Sequence, residues 1–332
     1  MDSKKFNAFV NVGFHHQYML NTYQLNNGDA NFSEIGQLAG VDKTDWSWAP
    51  LFIDLDLDGN KDLFITNGIK ENLNDNDIRV KLTKEEQKLN KKLTLKEYLN
   101  VMPSVITPNQ VFKNKGNLKF TNTSTKWVDN SDFNSNGAAY GDLDGDGDLD
   151  LVLNNMEAPA AIYENKSEEN SIGNSIVINL KGPNNNPFAL GTKISLPFDN
   201  QTIYHEHYPA RGYLSSMDYK IVLGLGDIQL IPEMKIEWPD GTVSILTDLE
   251  VNKQYGISYN KTQKVKNEPL IASKTHTEKK ASNDFGISFA HKEDKINDFK
   301  KQVLLPYSLS QNGPFIDKAD VNNDGLTDFF VG

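Results

Sequence analysis

The chain has 332 residues, 34 Lys and Arg against 45 Asp and Glu, a formal net charge of −11 and no cysteine. That length supports two or three domains; the lack of cysteine excludes disulfides, thiol catalysis and thiolate metal sites; and an acidic balance without a basic stripe argues against nucleic acid, whose binding rests on neutralising phosphates. No run approaches the roughly 18 apolar residues of a membrane helix.

Met1 to Phe14 carries Lys4 and Lys5 but no apolar core of the kind that marks a signal peptide. The other end stops at Phe329-Phe330-Val331-Gly332, inside strand-like sequence, so the chain reads as a fragment of a longer protein. Short strands are expected at Tyr23–Leu25 and around Phe32, joined by the turn Asn27-Gly28. The pattern returns as Gln110–Lys113, Lys115-Gly116 and Phe120, with the turn and the phenylalanine displaced by 88 residues. Trp46 and Trp48 share a strand face and could stack on sugar rings. Packing inside the sheet array is their expected role, because aromatic rings dominate core burial.

Next comes Asp54-Leu55-Asp56-Leu57-Asp58-Gly59-Asn60-Lys61-Asp62. It is repeated as Asp142-Leu143-Asp144-Gly145-Asp146-Gly147-Asp148-Leu149-Asp150, and again as Asp320-Val321-Asn322-Asn323-Asp324-Gly325-Leu326-Thr327-Asp328. Twelve of the 45 acidic residues lie in these three loops. Two unit charges about 4 Å apart repel by about 4 kcal/mol at an effective dielectric near 20. Five carboxylates within the nine residues of the second loop, with no Lys or Arg among them, therefore call for a cation. Oxygen donors at positions 1, 3, 5 and 9, with Gly at position 6 for a left-handed bend, suit Ca²⁺. An EF-hand needs Glu at position 12 and a helix beyond it. Here position 12 is Ile65, Leu153 or Val331, inside the β-forming segments Leu63-Phe64-Ile65, Leu151-Val152-Leu153 and Phe329-Phe330-Val331. These are strand–loop–strand calcium turns.

Between residues 72 and 108 an insertion carries two capping-box patterns, Thr83-Lys84-Glu85-Glu86 and Thr94-Leu95-Lys96-Glu97, and predicts two short amphipathic helices that end near Pro103 and cap one face of the array. From Asn174 the pattern changes to alternating strands. Asp240-Gly241 joins Lys235–Trp238 to Thr242–Leu246 in a tight hairpin, and residues 174–259 read as a separate small β-sandwich or barrel. His205 and His207 share a strand face with chelating spacing, but without a third ligand they read as a solvent-facing pair; His15-His16 read as structural. Arg211 beside Glu206 suits an ion pair or a ligand contact. Residues 260–283 are a lysine-rich linker, and residues 284–332 return to blade-like sequence around the third loop.

The three loops resemble the FG-GAP/VCBS repeats of calcium-binding β-propellers. Residues 174–255 resemble the ASPIC/UnbV domain through Leu180-Lys181-Gly182, Leu190-Gly191-Thr192-Lys193, Arg211-Gly212-Tyr213-Leu214-Ser215-Ser216, Leu223-Gly224-Leu225-Gly226 and Ile236-Glu237-Trp238-Pro239-Asp240-Gly241. The combination is similar to the cartilage acidic protein family and its large bacterial relatives. The resemblance implies an all-β chain: propeller blades over residues 1–165, an ASPIC/UnbV β-domain over 174–259, and the first blade of a second propeller over 284–332. It implies metal ligation by the side chains of Asp54, Asp56, Asp58 and Asp62 with the carbonyl of Asn60. The second set is Asp142, Asp144, Asp146 and Asp150 with Asp148. The third is Asp320, Asn322, Asp324 and Asp328 with Leu326, weakened by Asn322. It also implies secretion or surface display, with a protein or glycan ligand and no catalysis. No catalytic triad, phosphate loop or glycosidase carboxylate pair stands out. A propeller-based polysaccharide hydrolase or lyase, or a purely structural segment, are the alternatives.

Overall fold

The computed structural model describes residues 3–14, 18, 20–28, 31–70, 76–102, 104–128, 133–167, 172–198, 201–260, 316–319, 321–322, 324 and 328–331. The chain falls into two compact units, Met1–Thr275 and His276–Gly332. Among the described residues it forms several small β-sheets, with few helices and no closed barrel.

The first unit opens with helix α1 (Ser3–Asn11), a hairpin of β1 (Gln24–Gly28) and β2 (Asn31–Glu34), and the short helix α2 (Gly36–Ala39). A four-stranded antiparallel sheet follows, ordered β3 (Ser47–Ile53), β4 (Asp62–Asn67), β5 (Gln110–Asn114) and β6 (Phe120–Asn122). After the short helix α5 (Ser124–Trp127) comes a three-stranded sheet of β7 (Ser135–Gly141), β8 (Asp150–Asn155) and β9 (Ala161–Tyr163). The 88-residue offset holds strand for strand: Ser47–Ile53 maps to Ser135–Gly141, Asp62–Asn67 to Asp150–Asn155, and Gly36–Ala39 to Ser124–Trp127. Even the register irregularity recurs, between Ser47 and Pro50 and between Ser135 and Ala138.

The insertion forms α3 (Asn76–Leu89) and α4 (Leu95–Val101). Thr94 and Glu97 make the expected reciprocal capping box at the start of α4. The pattern at Thr83 does not start a helix. Thr83 lies inside α3, where its hydroxyl donates back to the Arg79 carbonyl at 2.8 Å, the alternative bond open to a mid-helix threonine.

Two further sheets pack face to face as a sandwich. One is ordered β13 (Ile221–Gly226), β10 (Asn174–Lys181), β16 (Lys253–Ser258); the other is ordered β12 (Thr202–Glu206), β11 (Lys193–Pro197), β14 (Leu230–Glu237), β15 (Val243–Glu250). Ile176, Ile178, Ile194, Leu196, Ile236 and Trp238 lie in their shared core, and each such side chain stabilises the fold by about 1.5–3 kcal/mol through burial. Alternate residues of β10 and β13 face the other way. Val177 and Val222 join Leu51, Ile53, Phe64, Leu151 and Leu153 in a second core, which links the two blade-like sheets to the sandwich. A sheet buried on both faces needs near-continuous apolar sequence, as Ser175-Ile176-Val177-Ile178 and Ile221-Val222-Leu223 supply.

In the second unit, β17 (Ile316–Ala319) and β18 (Asp328–Val331) pair antiparallel across the third aspartate loop. Asp320 and Leu326 lie outside the described residues, as do His15, His16, residues 261–283 of the linker and all of residues 284–315.

Candidate metal centre

Each of the first two loops starts where a buried strand stops and ends where the next begins, so the chain must reverse within nine residues. Gly59 and Gly147 take the left-handed backbone at position 6, with φ of 87° and 97°. Within this bend one carboxylate oxygen from each of Asp54, Asp56 and Asp58 lies within 4.8 Å of the others, and Asp142, Asp144 and Asp146 converge in the same way. Calcium–oxygen distances of about 2.3–2.6 Å allow two ligands of one ion to lie up to about 5 Å apart. Oδ1 of Asp54 and Oδ1 of Asp56 are buried with no hydrogen-bond partner among the described residues. A buried, unpartnered carboxylate oxygen is costly; its position among two other carboxylates fits a cation.

Position 9 has a different setting. Asp62 accepts from the backbone N–H of Leu55 at 3.2 Å and of Asn114 at 2.8 Å. Asp150 does the same with Leu143 at 2.9 Å and Asn165 at 2.8 Å. In the second unit Asp328 accepts from Val321 at 3.1 Å. These aspartates clasp each loop shut. At position 7, Asn60 donates through its backbone and its side chain to Asp58, at 2.8 and 3.1 Å, while the buried Asp148 accepts from the Ser167 N–H at 2.8 Å. In the third loop Asn322 donates to Asp324 at 2.9 Å.

An FG-GAP-like repeat profile matches residues 101–153, and an ASPIC and UnbV profile matches residues 182–264. The two matches support an FG-GAP-like repeat and an ASPIC and UnbV domain within this chain. A comparison with curated proteins finds no match. The combination fits a surface repeat protein whose acidic clusters could hold a metal. Among the described residues no helix is long and apolar enough to cross a membrane.

Both acidic bends lie against the sandwich. Gly226 of β13 donates its N–H to the Leu57 carbonyl at 2.8 Å, and Leu57 itself is wholly buried in the left-handed conformation with φ of 56°. A methyl group on Gly224 would collide with the Asp54 carboxylate. On the second loop, Ser175 of β10 donates its hydroxyl to the Gly147 carbonyl at 2.9 Å.

Burial, with the charge of Asp58 next in weight, pushes Asp54 up to about 8. Burial likewise pushes Asp62 and Asp146 up to about 7 and raises Asp150. Cations do reach the loops, from outside the nine-residue windows. Lys113 of β5 pairs with Asp56 and, at 3.3 Å, with Asp58. Lys220, just ahead of β13, reaches the Asp142 carbonyl at 3.1 Å and its carboxylate at 3.3 Å. Burial alone would lower Lys113, but the Asp56 hydrogen bond and charge outweigh it and hold the ammonium above its usual range.

His205 and His207 do not face solvent. They line a cavity of about 50 Å³ with Asp54, Lys61 and Arg211, and His207 is buried with Nε2 3.0 Å from the Phe188 carbonyl. Burial pushes His205 down to about 3 and lowers His207. Ile53, Asp54 and Tyr140 from the blade-like part of the chain line the same cavity, which the spacing of two histidines does not reveal. Arg211 donates to the Glu206 backbone carbonyl at 2.8 Å. Trp46 and Trp48 are half-buried rather than interior. Trp48 donates to the Gly68 carbonyl at 2.7 Å and lies 4.9 Å from the Tyr213 ring.

Proposed function

We propose that this chain is a calcium-stabilised, non-catalytic binding segment of a secreted or cell-surface protein, with a protein or glycan ligand. The observation that carries the reading is the convergence of Asp54, Asp56 and Asp58, two of which, Asp54 and Asp56, each keep a buried oxygen with no hydrogen-bond partner among the described residues. Asp54, Asp56 and Asp58 would hold one ion, with Asp62 and the Asn60 carbonyl available to complete it. Asp142, Asp144 and Asp146 would hold a second, with Asp150 and Asp148. In the last loop the candidates are Asp320, Asn322, Asp324, Asp328 and Leu326. The ion supplies positive charge that neutralises the loops and ties together the strand ends they join.

A binding role is supported by the surroundings of the half-buried aromatic rings of Trp46, Trp48 and Tyr213. The cavity beside Tyr213, about 360 Å³, is lined by Asn136, Asn154, Ser215 and small apolar residues, with no acidic side chain among its lining. Without Glu at position 12, affinities near 10⁻⁴–10⁻³ M are expected, on the order of extracellular modules. The test is thermal unfolding in EDTA and in Ca²⁺ at about 100 times the dissociation constant, where one site contributes about 2.7 kcal/mol. The expected midpoint rise is about 5–10 °C; equal midpoints reject structural calcium.

A further inference from the structure

A cleft of about 650 Å³ runs beside the first acidic loop, between the two blade-like sheets, a volume within the roughly 300–1,000 Å³ of ordinary ligand sites. On a chain of net charge −11 its lining is anomalous: Lys113, Lys115, Lys126 and Lys166 against only Asp56 and Glu164. Glu164 is paired with Lys166 at 3.2 Å, and Asp56 with Lys113. Lys115 and Lys126 are exposed and make no ion pair among the described residues. The half-buried rings of Trp127 and Tyr163 add flat apolar faces to the same lining.

Unpaired ammonium groups flanking aromatic faces suit a ligand that carries both carboxylate or sulfate charge and stacking C–H surface. We infer that this cleft binds a short acidic oligosaccharide, and that Lys113 couples it to the acidic loop. The coupling rests on the calcium reading above; the cleft's charge does not. Lys113 sits on Asp56 and Asp58, and lies 5.7 Å from the centre of the Trp127 ring. A cation held by those carboxylates competes for them with the lysine and leaves its ammonium to the cleft. Metal and acidic sugar then favour one another, by the same factor in each direction. A nucleic acid also carries charge and stacking faces, but the chain's overall negative charge repels a long polyanion.

The test is calorimetric titration of the whole chain with trigalacturonate, with neutral galactotriose and with a short single-stranded DNA, each in calcium and in EDTA. Trigalacturonate is expected to bind, more tightly in calcium, with affinity falling as salt rises. The double variant Lys115→Ala, Lys126→Ala, matched to the parent in melting temperature, should bind about tenfold more weakly. Lys113→Met should remove the calcium dependence. Equal binding of galactotriose or of the DNA, or an undiminished affinity in the double variant, overturns the assignment; equal affinity in calcium and EDTA overturns the coupling. A calcium-dependent rise in melting temperature is read independently, so the cleft can fail while the metal reading stands.

Discussion

Asp54 shows how the site depends on what is packed around it. Two of its neighbours in charge, Asp56 and Asp58, are dictated by the loop, whereas Gly224 of β13, which lies against its buried carboxylate, comes from far along the chain. In an unfolded chain Asp54, Asp62 and Asp146 release their protons near pH 4, whereas burial in the folded, metal-free chain pushes them up to about 8, 7 and 7. Between those limits the folded state holds more protons than the unfolded state, so its stability falls as pH rises. A metal ion takes over the protons' role as counter-charge. The melting temperature in EDTA should therefore drop between about pH 5 and pH 8, and the gap opened by calcium should widen over the same interval. A gap that is constant with pH contradicts this account.

At the scale of the loop, the carboxylates divide into two kinds. Positions 1, 3 and 5 converge, while position 9 receives two backbone N–H groups in both loops of the first unit. Asp150→Ala leaves the N–H groups of Leu143 and Asn165 without that acceptor, and should cost about 2–4 kcal/mol in denaturant unfolding even in EDTA. Asp144→Ala, at an exposed converging position, should show its loss only in calcium. Equal effects of the two substitutions in EDTA would erase the distinction. The spacing of the aspartates made the loops legible, and the strands around them followed from the apolar runs. The clasp was not legible, because the N–H groups that engage Asp62 and Asp150 include those of Asn114, at the end of β5, and Asn165, just past β9, which lie outside the loops. Lys113 escaped for the same reason: it is 57 residues from Asp56 in the chain. Thr94 and Thr83 carry similar local signals, and only the surrounding helix decides that one caps and the other bonds back along it.

For the first unit as a whole, β10 and β13 belong to two cores at once, so the sandwich and the blades are mechanically joined at the acidic loops. Gly224 tests that join. Gly224→Ala places a methyl group against the Asp54 carboxylate and 2.7 Å from the Leu57 Cα; overpacking of this kind costs about 1–3 kcal/mol. The expected outcome is lower stability together with weaker calcium binding at the Asp54 loop. A stability loss with unchanged calcium affinity would separate the loop from the sheet it lies on. The all-β class, the 88-residue repeat and the Asp240-Gly241 hairpin could be read from the sequence, since each is a local pattern. The inward turn of His205 and His207 and the seating of both loops on one sheet could not, because they are tertiary contacts between residues that are far apart in the chain.

The most direct measurement is calorimetric titration of the metal-free chain with calcium. The two converging clusters of the first unit predict at least two ions per chain, with dissociation constants near 10⁻⁴–10⁻³ M in order of magnitude, and Asp54→Asn and Asp142→Asn should each abolish one of them. A titration to about 100 times those concentrations that shows no binding, or a stoichiometry that the two substitutions together leave unchanged, contradicts the account.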